Sequence, residues 1–167
     1  MKENNELKKI KGMLQEHEKR IKSLEDIFAS LKSEEITAIE GRMDIEKLAR
    51  KIGIKNGKVR ELFDIENNTL TILKVVGKDD KERTQKISLA VLLGYKYSLG
   101  NEQVLSKEIR RNVAENRVPV NNFAKYLNEL IPSLIRRVGK PKSPKTTYKL
   151  TPLGEAEAKE IFRKLCE

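Results

Sequence analysis

The stretch VLSKEIRRNVAENRVPVNNFAKYLNELIPSLIRRVGKPKSPKTTYKLTPLGEAEAKEIFRKL, Val104 to Leu165, carries most of the fold information in the chain. Its first part predicts a helix from about Leu105 to Glu115. A second helix is predicted from about Val120 to Leu130, because Phe123, Leu127 and Leu130 recur at helical spacing and give it one inward face. The other face then shows Asn121, Asn122, Lys125 and Tyr126. Pro132 ends this helix and biases Ile131 toward an extended backbone, so Ser133 to Val138 reads as a strand with Leu134 inward. The following GKPKSPK is a short, stiff loop: two prolines and a glycine restrict it, and three lysines decorate it. TTYKLT returns as the partner strand, and Thr151 or Pro152 opens a last helix, PLGEAEAKEIFRKLCE.

Charge is concentrated in the same half of the chain. The 35 Lys and Arg outnumber the 25 Asp and Glu by ten. Residues 1–42 balance at nine each, residues 43–64 carry six cations against four acids, and residues 65–85 balance at four each. Residues 86–167 hold sixteen cations against eight acids, and so supply +8 of the +10. Between Glu129 and Glu155 there is no acid at all, whereas Arg136, Arg137, Lys140, Lys142, Lys145 and Lys149 all fall there. Such unrelieved self-repulsion is best explained by a polyanionic partner.

Composition narrows the classes further. A chain of 167 residues with 38% hydrophobic content suits one ordinary domain or two small ones, which excludes collagen-like, membrane and fully disordered classes. One cysteine, Cys166, and one histidine, His17, exclude a disulfide framework or an ordinary Cys/His metal site, and nothing points to a cofactor. No apolar run approaches the roughly 20 residues a membrane helix needs, and MKENNELKK has no signal-peptide core. The expectation is a soluble intracellular protein.

Residues 86–167, and most specifically the run from LIRRVG through YKLTPLGEAEA, resemble a winged helix-turn-helix domain, as found in many archaeal and bacterial transcription regulators. The resemblance implies that the exposed face of the second helix enters the major groove of duplex DNA while the lysine-bearing loop, the wing, meets phosphate or minor groove. Asn121 and Asn122 would then suit adenine edges, Lys125 guanine or phosphate, and Tyr126 phosphate. Arg136, Arg137, Lys140, Lys142 and Lys145 would supply affinity independent of sequence. Plainer roles stay open for two of these: Asn121 as a helix cap and Tyr126 as packing against the wing. The chain departs from the family pattern in its longer link, AENRVP, and in Arg110, where a small residue is usual.

The N-terminal half has its own patterns. Leu7, Ile10, Leu14, His17, Ile21, Leu24, Phe28 and Leu31 alternate steps of three and four, the a/d stripe of a coiled coil that would pair two copies through residues 7–31. His17 falls at a core position, where it either fixes register or sits at a partly open seam. In IEKLARKIGIKNGKVRELF, Ala49 lets two helices approach, Gly53 permits the turn, and Ile54, Val59 and Leu62 fill the angle, a helix-turn-helix pattern. Its second helix, starting near Lys55 to Gly57, would expose Lys55, Asn56, Lys58 and Arg60 as a second DNA contact. Asn67-Asn68 reads as a hairpin turn leading into a strand from Thr69 to Val76, which collides with a helix reaching Phe63. Asp79 with Glu82 has capping-box spacing and opens a helix that ends near Gly100, with Leu89, Leu92, Leu93 and Tyr95 as core.

The expected fold class is mainly α with small β: a coiled-coil dimerisation helix at 1–35, a helix-turn-helix-like segment with a short hairpin at 36–77, and a winged helix at 78–167. The expected function is sequence-specific or architectural binding of double-stranded DNA by a cytoplasmic, nucleoid-associated homodimer, as a transcription regulator. The alternative is a protein-protein adaptor that uses the winged helix and coiled coil as docking surfaces. An enzyme has little support, because no phosphate-cradling glycine loop is present, His17 falls in the heptad stripe and Cys166 has no histidine neighbour. The sequence names no small-molecule effector.

Overall fold

The computed structural model describes residues 12–28, 45–141 and 143–166. It is mainly helical with two small antiparallel sheets. By internal contacts the chain divides into two units, Met1–Ile39 and Glu40–Glu167. In the first, residues 12–28 form a helix whose side chains are exposed throughout. Leu14, His17, Ile21, Leu24 and Phe28 lie on it, whereas Leu7, Ile10 and Leu31 lie outside the described residues.

The second unit begins with helical residues 45–52, which bury Ile45, Leu48, Ala49 and Ile52. Gly53 then turns the chain at φ +75°, and both its N–H and that of Ile54 donate to the Ala49 carbonyl, at 2.9 and 3.0 Å. Helix α1 (Asn56–Leu62) follows and buries Val59 and Leu62. At Phe63 the backbone switches directly to φ −133°, ψ 143°, so strand β1 (Phe63–Glu66) starts where α1 stops and the expected collision does not arise. Asn67 and Asn68, at φ 49° and 58°, make the tight turn to β2 (Thr69–Ile72). That strand is shorter than the expected Thr69–Val76. Its partner runs out at Phe63, and the next N–H, that of Leu73, goes to the carbonyl of Leu62 in α1.

The centre of the unit is α2 (Asp80–Ser98), whose residues Ile87 to Tyr95 are buried without interruption. A helix apolar on all sides is one packed on all sides, and α2 meets α3 (Ser106–Glu115), α4 (Phe123–Asn128) and α5 (Pro152–Cys166). Its start is fixed as its spacing predicts: the Asp79 carboxylate accepts from Glu82 N–H at 2.7 Å, and the Glu82 carboxylate accepts from Lys78 N–H at 2.8 Å. Gly100, at φ +70°, follows its end. Leu89, Leu92, Leu93 and Tyr95 are all buried. A Cβ on Gly94 would stand 2.4 Å from Leu70 Cδ1, so the hairpin rests directly on the backbone of α2. One apolar core runs from Ile45 to Phe162, with Phe63 and Phe162 stacked at 4.7 Å. No break in that core falls at the 77/78 division drawn from the sequence.

A buried polar joint ties the hairpin to α3. Asn112, fully buried, accepts from Ile72 N–H at 2.8 Å and donates to the Leu70 carbonyl at 3.1 Å, so its amide completes the free edge of β2 as a further strand would. Asn116 donates to the Ile72 carbonyl at 2.8 Å, and Arg111 donates to the Leu70 carbonyl at 3.0 Å.

The second sheet has the order β3-β5-β4, from β3 (Val104–Leu105), β4 (Ile135–Val138) and β5 (Thr147–Leu150). Helix α4 is shorter than the expected Val120–Leu130. Asn121 and Asn122 lie in the turn before it, and N–H groups of Leu130 and Ile131 bond three residues back, which tightens the chain out of α-helix before Pro132. The strand expected from Ser133 accordingly starts at Ile135, because the N–H groups of Leu134 and Ile135 both return to the Leu130 carbonyl. Ile135 is the fully buried residue and Leu134 only half-buried. Thr151 Oγ1 accepts from Gly154 N–H at 3.0 Å and caps α5. A Cβ on Gly154 would sit 1.8 Å from the Leu134 carbonyl oxygen, so this glycine sets how closely α5 approaches the turn before β4.

Candidate nucleic-acid interface

Arg136 and Arg137 leave the core along β4, whose only buried residue is Ile135. Because neighbouring strand residues point to opposite faces, the two arginines diverge. Arg137 reaches toward α4, its guanidinium 3.4 Å from Asn128 Oδ1. Arg136 shares the other face with Lys149, directly opposite it in the ladder. Like charges so placed repel, and neither forms an ion pair among the described residues.

The loop from Gly139 to Thr146 is held by its own bonds. Gly139 adopts φ +98°, Thr146 Oγ1 donates to the Lys140 carbonyl at 2.6 Å, and Thr146 N–H donates to the Ser143 carbonyl at 3.0 Å. These contacts leave the ammonium groups of Lys140 and Lys145 exposed. Lys142 lies outside the described residues. The base of the loop is joined to the body where Ser106 N–H donates to the Thr146 carbonyl at 2.9 Å.

Of the residues expected on the second helix, Lys125 and Tyr126 lie within α4, Lys125 exposed and Tyr126 half-buried. Asn121 and Asn122 are exposed in the turn that leads into it, not on a helical face. Asn122 occupies the position before the first helical residue but makes no capping bond from its side chain; its amide is 3.4 Å from the Tyr126 hydroxyl. The cap reading of Asn121 is thereby corrected, since the cap position belongs to Asn122. Tyr126 pairs with Asn122 through its hydroxyl, and its carbonyl accepts from Gln85 Nε2 at 3.2 Å.

The acid at the end of α4, Glu129, is answered by residues of α2. Glu129 pairs with Lys81 at 2.6 Å and accepts from Gln85 at 3.2 Å. The bond from Lys81 lowers the Glu129 carboxyl below its ordinary value, and Glu129 raises Lys81 above its own. Lys81 and Gln85 thus hold α4 from behind, and Asn128 steers Arg137. Sequence reading missed all three, because each acts through a partner on another element. Lys125, Arg136, Arg137, Lys140 and Lys145 are all exposed and, although Arg136 and Arg137 lie on opposite sides of the hairpin, none has an acid paired to it among the described residues.

A second basic surface lies on residues 45–62. Lys55, Asn56, Lys58 and Arg60 are all exposed there, and Lys58 Nζ donates to the Cys166 carbonyl. Lys47, Arg50 and Lys51 line one concavity beside them, a cluster that the sequence reading overlooked.

Among the described residues no group of three or more His, Cys, Asp or Glu side chains is placed to hold a metal ion, and no helix is long and apolar enough to cross a membrane. No protein-family model matches the chain, and comparison with curated proteins and with solved structures found no match.

Proposed function

We propose that this chain binds double-stranded DNA as a homodimer, through a winged helix built from residues 78–167, and serves as a nucleoid-associated transcription regulator. The single observation that carries the reading is the set of exposed cations on α4, β4 and the 139–146 loop, none of them paired with an acid among the described residues. The sheet order β3-β5-β4, with α3 and α4 between β3 and β4, supports the winged-helix assignment. In this reading the turn at Asn121–Asn122 and the first turn of α4 enter the major groove, which places amides suited to adenine ahead of Lys125. Arg137 and the loop lysines meet phosphate on one side of the hairpin, Arg136 and Lys149 on the other. The exposed stripe of Leu14, Ile21, Leu24 and Phe28, at 57 to 75% exposure, supports pairing of two copies as a coiled coil. The role is binding and not catalysis, and it calls for no cofactor.

The test is fluorescence anisotropy of the full chain with random-sequence duplex across a salt series. Binding at micromolar concentration or tighter is expected, with log K falling against log salt at a slope of about −5 per protomer, as six phosphate contacts predict. Absence of binding at low salt, where a chain of +10 binds a polyanion most readily, overturns the reading. The adaptor role then takes its place, with an acidic protein surface meeting the same cations.

A further inference from the structure

Resting on the duplex-binding reading above, we infer that residues 45–62 form a second duplex-binding face, so that one Glu40–Glu167 unit holds two DNA segments at once. Six cations, Lys47, Arg50, Lys51, Lys55, Lys58 and Arg60, fall in these 18 residues against two acids, Glu46 and Glu61. Their arrangement follows from the core. Because Ile45, Leu48, Ala49 and Ile52 turn inward, Lys47, Arg50 and Lys51 share the outer face at spacings of three and four. The turn at Gly53 then brings Lys55 and the start of α1 in beside them. Arg50, Lys51, Lys55 and Arg60 are exposed and enter no hydrogen bond or ion pair among the described residues. Other cations of the unit are matched by acids, Lys86 with Glu82, Lys96 with Glu155, and Arg111 with Glu108 and Glu115.

The basic face at 45–62 runs along α2 and not at one end of it: Lys47 shares a cleft with Tyr97 and Ser98, whereas Lys58 reaches Cys166, and the end of α5 lies beside Lys78, Glu82 and Lys86. Helix α4 is held by Lys81 and Gln85. The two faces lie on different sides of α2. Gln85 and Gly94, whose backbone carries the hairpin that follows α1, stand about two and a half helical turns apart and so on opposite sides of α2. A groove occupied by α4 therefore leaves the 45–62 face open to a different stretch of duplex, which makes the unit a bridge.

The experiment uses the full chain carrying Leu14→Lys and Leu24→Lys, which charges the N-terminal stripe; light scattering confirms a monomer, so that any bridging comes from one body. Protein is loaded on bead-bound duplex at low salt, and capture of a second, fluorescent duplex is measured. Capture is expected, and it should fall at least tenfold when Arg50, Lys51, Lys55 and Arg60 are all changed to serine while binding to the first duplex stays within about threefold. The charge-keeping set Arg50→Lys, Lys51→Arg, Lys55→Arg and Arg60→Lys should restore it, which separates a binding face from a folding defect. No capture, or capture indifferent to the serine set, overturns the inference and leaves the winged-helix reading standing. Failure to load on the first duplex defeats both.

Discussion

Residues 123–149 and residues 152–166 are consecutive, and both are rich in charge, yet they dispose of it in opposite ways. In α5 the charges answer one another: Glu155 takes Lys96 and Lys159 at 2.9 Å each and the Tyr97 hydroxyl, and Glu160 pairs with Arg163 and Lys164. Across α4, β4 and the following loop the cations have no such answer, and Arg136 even stands opposite Lys149. The difference separates charge that holds the fold from charge kept for a partner. Removing the first kind should cost stability and spare binding; removing the second should do the reverse.

The largest effect is expected at the unanswered charges. Changing Arg136, Arg137, Lys140 and Lys145 to serine should weaken duplex binding about a thousandfold near 0.1 M salt and make the log–log salt slope shallower by about 3.6, at 0.9 for each lost phosphate contact. Stability should change by no more than about 0.5 kcal/mol, since these side chains are exposed. Anisotropy and urea denaturation on the same samples check both halves. A large loss of stability with an unchanged slope would break the comparison.

The next effect belongs to Glu155. Its bonds from Lys96 and Tyr97 hold its carboxyl down to about 2, against an ordinary value of 4.5. A carboxyl depressed on folding contributes stability that is fully present above the unfolded value and is lost as pH falls through the folded one. Between pH 4.5 and about 2 the chain should therefore lose about 3 kcal/mol through this group. Urea midpoints over that range should fall more steeply for the wild type than for Glu155→Gln, while the two bind duplex alike at neutral pH. Parallel acid limbs would remove Glu155 from the charges that hold the fold.

A smaller loss is expected at Asn112, which is uncharged and sharpens the comparison by supplying a purely structural standard. Asn112→Leu strips the partner from Ile72 N–H and should cost about 2 kcal/mol. Hydrogen exchange should show the Ile72 amide losing protection while the salt slope of binding stays unchanged. Retained protection would show that the hairpin does not depend on this joint.

Much of the local structure was legible in the sequence. Asp79 and Glu82, Gly53, Asn67-Asn68 and Gly100 each made the turn or cap their chemistry allows, because these signals act within a few residues and require no knowledge of distant partners. The apolar positions 89, 92, 93 and 95 were legible as core for the same reason. Element lengths were not. The second strand of the hairpin stopped at Ile72 because α1 occupies the chain before Phe63, and α4 shrank because tight turns before Pro132 took residues from it at one end while Asn121 and Asn122 fell in a turn at the other.

The candidate face shows the same division. That a run without acids holds six cations is written in the order of residues from Glu129 to Glu155. Which of them point together is not, for Arg136 and Arg137 are neighbours in sequence and opposed in the sheet. The neutralisation of Glu129 by Lys81, the steering of Arg137 by Asn128 and the burial of Asn112 against β2 join residues 9 to 48 positions apart or lie across two elements.

The sequence by itself determined the capped start of α2, the turns at Gly53 and Asn67-Asn68 and in which half the surplus charge lies, since capping, turn chemistry and charge are local or additive properties. Only the tertiary structure decided that residues 45–77 and 78–166 share one core, that an asparagine amide finishes the edge of a hairpin, and that α4 and the hairpin following α1 meet opposite sides of α2. Those outcomes depend on which faces meet, and burial of apolar surface, which is non-directional, selects among many pairings that the same pattern of residues permits.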